Sequence, residues 1–371
     1  DSRFLPPGCL FVALRGEHFD GHAFIDEVIR QGARAVLMDK EGASSHEDLS
    51  SLGAGVLVVE DTLQAYGDIA AFHRREVARP LAAITGSNGK TTTKELLAAA
   101  LGTRGSVHKT QGNFNNLIGV PKTILDWKGY EWAAVVEMGM NIPGELERLA
   151  EVAAPSVGVI TNVSSAHLEG LGTIEDVAKA KGELFAGLPE NAVGIINADD
   201  PMIQKICVPL LNNRPRFTFG ELPSSDIQIQ NYRNTLDGLT VNLLVEGQPL
   251  ETELPICGSH NAHNSAAAVA AAYSLGSTLT SIAEGLSNVQ VPGGRLRLLQ
   301  DLPSGIQLID DTYNANPSSM RAAFSTLVDL GKDARCIAVL GDMYELGQQA
   351  EVFHRETGRE AALAGIEWVL S

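Results

Sequence analysis

The stretch Ala83-Ile84-Thr85-Gly86-Ser87-Asn88-Gly89-Lys90-Thr91-Thr92-Thr93 runs from an apolar segment through a glycine-bracketed turn into the helical pattern Lys94-Glu95-Leu96-Leu97. A strand, a tight loop and a helix in that order form the phosphate-binding unit of an open α/β sheet. Gly86 and Gly89 let successive backbone N–H groups of Ser87, Asn88 and their neighbours turn toward an anion, and the helix that follows starts with unpaired donors. Lys90 supplies a point charge for the outer phosphates, and Thr91, followed by Thr92, places a hydroxyl within reach of a magnesium ion. A nucleoside triphosphate is the leading ligand. Ile84 stands where the full motif has its first glycine, so the loop is a short variant. The plain alternative is a glycine-rich turn between strand and helix.

Bulk composition narrows the classes. A chain of 371 residues exceeds one comfortable core and predicts two or three domains. With 45 acidic against 28 basic residues the formal charge is −17, which disfavours a nucleic-acid surface. Any phosphate site is then a local positive island in a negative field. Cys9, Cys207, Cys257 and Cys336 are scattered without metal-like or disulfide-rich spacing, as in a reducing cytoplasm. No apolar run approaches the roughly 20 residues of a membrane span. The opening Asp1, without methionine or a basic leader, reads as a processed or partial form.

Apolar periodicity divides the chain into three α/β units, 1–78, 79–292 and 293–371. The first alternates short strands at 10–14, 35–38 and 55–59 with helices at 24–31 and 63–74. In the second, strands at 81–84, 132–137, 157–161 and 192–197 feed helices, and the last three end in polar residues. At the carboxyl edge of a parallel sheet such ends face the ligand crevice, so Glu137, Thr161-Asn162 and Asn197 to Asp199 are expected near the phosphate loop. Residues 214–256 alternate like antiparallel strands turning at Asp237-Gly238. The third unit follows the hinge-like Val291 to Arg295. It predicts three parallel strands, ending at Asp311, Leu340 and Leu370, with two crossovers; that is a poor sheet for a free-standing domain and leaves an unprotected edge.

Several groups then admit two readings each. Glu137 at a buried strand end is a magnesium ligand or a salt-bridge or capping residue. His167, one loop beyond the 157–161 strand, is a ligand or a satisfied polar loop residue. Lys179 and Lys181 read as surface charge on an amphipathic helix. Arg295 in the hinge is suited to bidentate phosphate contact delivered by domain closure. Asp310-Asp311-Thr312-Tyr313-Asn314-Ala315-Asn316-Pro317 is a binding loop or a capped turn opening the next helix.

The phosphate loop, Gly112 to Pro121 with its asparagines, Glu137-Met138-Gly139, Asn162 to Glu169, the Lys179/Lys181 helix, Gly258-Ser259-His260-Asn261 with Asn264, Asp310 to Pro317, and Val339 to Gly347 occur in an order that resembles the Mur ligases of peptidoglycan synthesis. The resemblance spans essentially the whole chain. It implies an α/β, three-domain Mur ligase architecture with a central, mostly parallel-sheet ATPase domain and a truncated Rossmann-like C-terminal domain. The implied reaction is the ATP- and Mg2+-dependent joining of D-alanyl-D-alanine to UDP-N-acetylmuramoyl-tripeptide by a cytoplasmic monomer.

By the same resemblance, Lys90, Lys181, His167 and Arg295 carry catalysis. Thr91, Glu137, His167 and a carbamylated Lys181 hold magnesium, which reverses the charge read for Lys181 above. Asn264, Arg295 and Asp311 join residues 86–92 on the nucleotide. Ser2, Arg3, Asp20 and His22 meet the uridine nucleotide, and Asn113, Asn115 and Asn116 the muramoyl peptide or its acyl phosphate. Tyr313 is implied for the nucleotide or incoming dipeptide, and Asn316 for substrate. Met140 departs from the family pattern in size, and the family's C-terminal domain is longer, with late elements that receive the amino-acid substrate. Open alternatives are a Mur ligase adding a diamino acid, a folylpolyglutamate ligase, and a nucleotide-binding module without acyl transfer.

Overall fold

The computed structural model describes residues 2–16, 18–45, 53–164, 172–299, 305–332, 334–344 and 346–371. The chain divides into two compact units, Asp1–Glu76 and Val77–Ser371.

In the first unit a parallel sheet of β1 (Leu10–Val12), β2 (Ala35–Asp39) and β3 (Gly55–Val59) has β2 at its centre. Alternate apolar residues of these strands and Ile25 and Val28 of the intervening helix form its core. A polar knot closes the loop after β1. The backbone N–H of Asp39 donates to His22 Nε2 at 3.1 Å, so the ring proton sits on Nδ1, 2.6 Å from Asp20 Oδ1. Arg15 donates to both oxygens of Asp39 and to Asp20, and its guanidinium holds the Asp39 carboxyl down at about 2. His22→Ala strands the Asp39 amide. The expected loss is about 1–2 kcal/mol of stability in this unit, read from its urea unfolding midpoint.

The second unit is built on a nine-stranded sheet in the order β12-β11-β10-β9-β8-β7-β4-β6-β5. Its strands are β4 (Leu81–Thr85), β5 (Val107–Lys109), β6 (Ala133–Glu137), β7 (Val157–Ile160), β8 (Val193–Asn197), β9 (Arg216–Gly220), β10 (Ile227–Thr235), β11 (Gly238–Val245) and β12 (Gln248–Leu254). From β5 across to β10 every neighbouring pair is parallel; β10, β11 and β12 form an antiparallel meander. The 214–256 region is therefore antiparallel only in its second part. β9 instead extends the parallel sheet beside β8, because Arg216–Gly220 follows a helical crossover and not a hairpin.

Both faces of the parallel part are buried, as continuous apolar strands such as β4 require. One face is covered by helices Lys90–Gly102, His260–Ser274 and Leu279–Ser287, joined in one core with Ala82, Ile84, Val135 and Val159. Helices Glu145–Ala153 and Ile174–Ala186 pack on each other and on β4 and β7. The chain leaves β4 for the far edge at β5, returns at β6 and crosses to β7, so the carboxyl end of β4 is the point where ligand crevices form in such sheets.

Beyond the hinge, β14 (Leu308–Asp310) pairs antiparallel with β13 (Arg297–Leu299), while β15 (Ile337–Val339) and β16 (Trp368–Leu370) pair parallel. The expected three-stranded parallel sheet does not occur among the described residues, because the strand ending at Asp310 is taken by the hinge segment. Helices Pro317–Leu330 and Ala350–Leu363 pack together through Met320, Phe324 and Ala361. No helix among the described residues is long and apolar enough to cross a membrane.

Candidate active site

β4 ends in a loop that its neighbour β7 holds in place. Ser87 N–H donates to Asn162 O at 2.9 Å, Asn88 N–H to Asn162 Oδ1 at 3.0 Å, and Thr161 Oγ1 to Asn88 O at 2.6 Å. The glycines are required by space and by dihedral. A Cβ on Gly86 would lie 1.9 Å from Thr161 Oγ1, and Gly89, the residue preceding the helix, has φ +78°. Lys90 Nζ reaches back to Gly86 O at 2.8 Å and Ser87 O at 3.2 Å, so its ammonium spans the loop it follows. The cradle read from the sequence is present, with the first-turn donors of the helix behind it.

In the first turn of that helix, Thr91 Oγ1 donates to Glu137 Oε2 at 2.8 Å, and Asn115 Nδ2 donates to Glu137 Oε1 at 2.9 Å. The end of β6 thus sits between the phosphate helix and the asparagine loop. Glu137 is 3% exposed and its pairing is with neutral donors, which leaves the carboxylate charge for a cation. A hydroxyl and a carboxylate meeting beside a phosphate cradle match magnesium, which takes one or two protein oxygens and completes its shell with phosphate and water. No cluster of three or more His, Cys, Asp or Glu that could hold a metal occurs among the described residues. His167 lies outside the described residues.

The third part of the chain closes on the same loop. Asn316 caps helix Pro317–Leu330 by accepting from Ser318 N–H and Ser319 N–H, and its own amide donates to Asn88 Oδ1 at 2.7 Å. Asn88 Nδ2 donates in turn to Ser318 Oγ at 2.6 Å and Ser164 Oγ at 3.1 Å. The capped-turn reading of this segment holds, and the cap touches the phosphate loop. In the hinge, the Arg295 guanidinium lies over the Tyr313 ring at 4.0 Å. Asp311 accepts the Leu296 N–H at 3.1 Å, and burial pushes its carboxyl above the usual range.

These groups line one cavity of about 780 Å³, which takes in Ser87 to Thr92, Asn113, Asn115, Asn116, Glu137, Met140, Asn162, Asn197, Asn264, Arg295, Asp311, Tyr313 and Asn316. Asp199 lines a neighbouring groove instead, accepting from Glu221 N–H and Leu222 N–H and pairing with His263 at 2.9 Å. Ser2, Arg3, Asp20 and His22 belong to the first unit; Ser2 and Arg3 lie in a turn before β1, and Asp20 and His22 in the polar knot above.

Lys181 is not on the cavity surface among the described residues. It is buried in helix Ile174–Ala186 with 2% of its surface exposed, so the surface-charge reading fails for Lys181, while it holds for Lys179, exposed and paired with Asp176. Burial, and then the charge of Lys90, drive its pKa well below the ordinary lysine value. His260 has no role in the sequence reading, yet its ring lines the cavity. Its Nδ1 has no hydrogen-bond partner among the described residues, and burial, with His263 nearby, pushes it down to about 4. The unassigned histidine in Gly258-Ser259-His260-Asn261 was the available signal.

Comparisons with known proteins agree with this geometry. Models of the Mur ligase family catalytic domain, the Mur ligase middle domain and the Mur ligase glutamate ligase domain match residues 1–74, 84–272 and 294–370. The UDP-N-acetylmuramoyl-tripeptide–D-alanyl-D-alanine ligase of Escherichia coli strain K12 is 40% identical over 372 aligned positions, covering 100% of this chain and 80% of the relative. MurF from Acinetobacter baumannii superposes with a TM-score of 0.91 at 33% identity, covering 100% of this chain and 78% of that one. MurF ligase from Thermotoga maritima, solved in complex with ADP, superposes at 0.88 with 30% identity, covering 100% and 82%. With a family model matching half the sequence and relatives at this identity along its whole length, the chain belongs to the Mur ligase family.

Proposed function

We propose that this chain is an ATP-dependent peptide ligase that joins D-alanyl-D-alanine to UDP-N-acetylmuramoyl-tripeptide, forming the UDP-pentapeptide precursor of peptidoglycan. The observation that carries the reading is the bonded chain Thr91–Glu137–Asn115, which links a phosphate cradle to an asparagine loop inside one cavity. The activity named for the 40% identical relative supports it. Division into a UDP-substrate domain at 1–78, an ATP-binding domain at 79–292 and a dipeptide and nucleotide domain at 293–371 is supported by the three matched ranges. Four free cysteines and nucleotide-linked substrates support a cytoplasmic setting.

A carboxylate is a poor electrophile, so the tripeptide terminus must gain a leaving group before an amine can displace it. One carboxylate oxygen attacks the γ-phosphorus of ATP, ADP leaves, and an acyl phosphate forms. The dipeptide amine then attacks the acyl carbon, and the tetrahedral intermediate expels phosphate as the amide forms and the amine loses its proton. The loop N–H groups and Lys90 bind and orient the phosphates. Arg295, stacked on Tyr313, presents a guanidinium to the same space. Asn113, Asn115 and Asn116 line the side on which the acyl group is held, and the third domain against Asn88 shields it from water.

Thr91 and Glu137 would hold magnesium, which when bound neutralises charge on the phosphoryl group. A neutral Lys181 amine can capture carbon dioxide, forming an N–C bond and releasing one proton, to give a carbamate able to act as a further anionic ligand. The expected result with purified protein is dipeptide-dependent release of ADP and phosphate from ATP with the UDP-tripeptide, and a product heavier by one D-alanyl-D-alanine less water. Turnover with a free diamino acid in place of the dipeptide, or nucleotide binding with no new peptide bond, overturns the assignment.

A further inference from the structure

Lys94 is the most deeply buried cation of the phosphate helix, 1% exposed, and nothing in the reaction above uses it. Its ammonium donates to the carbonyl of Thr110 at 2.9 Å and pairs with Glu95 Oε1 at 3.1 Å; the other oxygen of Glu95 is taken by Lys109. Two ammonium groups therefore share one carboxylate, and the Thr110 carbonyl supplies part of what buried Lys94 needs. Thr110 is itself 1% exposed, and its hydroxyl accepts the backbone N–H of Glu137 at 2.9 Å. Thr110 is also the root of the asparagine loop, whose Asn115 returns to Glu137 through its side chain and accepts the Gly139 N–H at 2.8 Å.

We propose that Lys94 and Thr110 are positioning residues, a buried relay that fixes the Glu137 carboxylate and Asn115 at a set place relative to the phosphate helix. The proposal rests on the ligase reading for what is positioned, the phosphate site against the acyl-group site. Sheet pairing and core packing hold these elements in general place; without the relay, the fine setting of Glu137 and Asn115 against Thr91 rests on contacts at the cavity surface, where substrates and water compete. The supporting bonds behind a ligand set its orientation, and their loss changes turnover more than binding.

Four variants test the relay. Lys94→Met removes the donor to the Thr110 carbonyl at similar length, and Thr110→Val removes the hydroxyl that accepts the Glu137 N–H while keeping the shape. Thr110→Ser restores the hydroxyl acceptor, and Lys109→Met weakens the same ion cluster while leaving Lys94, Glu95 and Thr110 in place. Lys94→Met and Thr110→Val are expected to lower kcat by about tenfold or more, with KM for ATP and UDP-tripeptide within about threefold; Thr110→Ser and Lys109→Met stay near wild type. A second readout needs no turnover: calorimetric titration with ADP at varied Mg2+ should show the Mg2+-dependent part of the affinity reduced in Lys94→Met and Thr110→Val only.

If the wild-type protein ligates nothing, the ligase reading fails while the titration still decides the relay. Wild-type kcat and wild-type Mg2+ dependence in folded Lys94→Met and Thr110→Val overturn the proposal. So does an equal loss in Lys109→Met or in Thr110→Ser, which marks a purely structural cluster.

Discussion

Lys181→Ala is expected to abolish most ligation, lowering kcat by roughly 10²–10³ while the fold and ADP binding survive. Burial strips water from the Lys181 amine and the nearby Lys90 charge opposes a second cation, so its pKa lies well below the ordinary lysine value. A neutral amine is a nucleophile for carbon dioxide, and capture would replace an uncharged group with an anion within the field of Lys90. The electrostatics that disfavour an ammonium thus favour a carbamate. Formation releases a proton, so occupancy rises with pH and with dissolved bicarbonate. In Lys181→Ala the vacated space should accept formate or acetate, and millimolar amounts of either should restore part of kcat; Lys181→Arg, which keeps a cation, should not be rescued. Protein in 13C-bicarbonate should show one carbamate carbon that is absent from both variants. Full kcat in Lys181→Ala with no such signal in wild type would leave the lysine an ordinary core residue.

The parts of this site that were legible in the sequence share a physical cause: each is local, or follows from one rule about parallel sheets. Gly86 to Thr91 is a contiguous run whose backbone needs are written in its glycines. Glu137, Asn162 and Asn197 lie far apart in sequence but at strand ends, and the crevice rule gathers them. What escaped depends on pairing or depth that alternation does not encode. β5 has three residues, too few for a period, yet it ends beside Thr110 and anchors the asparagine loop. β9 and β14 look like ordinary strands, and only their partners decide that one extends the parallel sheet and the other folds back on the hinge. Lys181 reads as solvated charge on an amphipathic helix, because charge type says nothing of whether that face is covered. The helix His260–Ser274, with its alanines fully buried, packs on the phosphate helix, whose Lys94 and Glu95 are themselves buried with Thr110 and Lys109 as partners.

Gly89→Ala is expected to weaken ADP binding by about 10²–10³-fold, an effect of roughly 3–4 kcal/mol. Two independent terms add. The backbone at φ +78° costs an L-residue about 1–2 kcal/mol. The new methyl carbon would also lie 2.2 Å from Asn264 Oδ1, and Asn264 is fixed from below by its 2.8 Å bond to Asn261. Moving that buried amide forfeits its hydrogen bonds, at about 1–3 kcal/mol. The alternative escape is to unwind the first turn of the helix, which turns the N–H donors of Lys90, Thr91 and Thr92 away from the phosphates and separates Thr91 from Glu137. Either route falls on the anion cradle and not on the hydrophobic core, so the loss should appear mainly in nucleotide affinity, with a melting temperature lower by only a few degrees. Gly102→Ala, at the other end of the same helix with open space around its Cβ, should bind ADP as wild type and melt slightly higher. Calorimetric titration of the three proteins with ADP and Mg2+ decides the matter: wild-type affinity in Gly89→Ala would show that the phosphates are not seated on this loop, and the acyl-phosphate route would lose its donor.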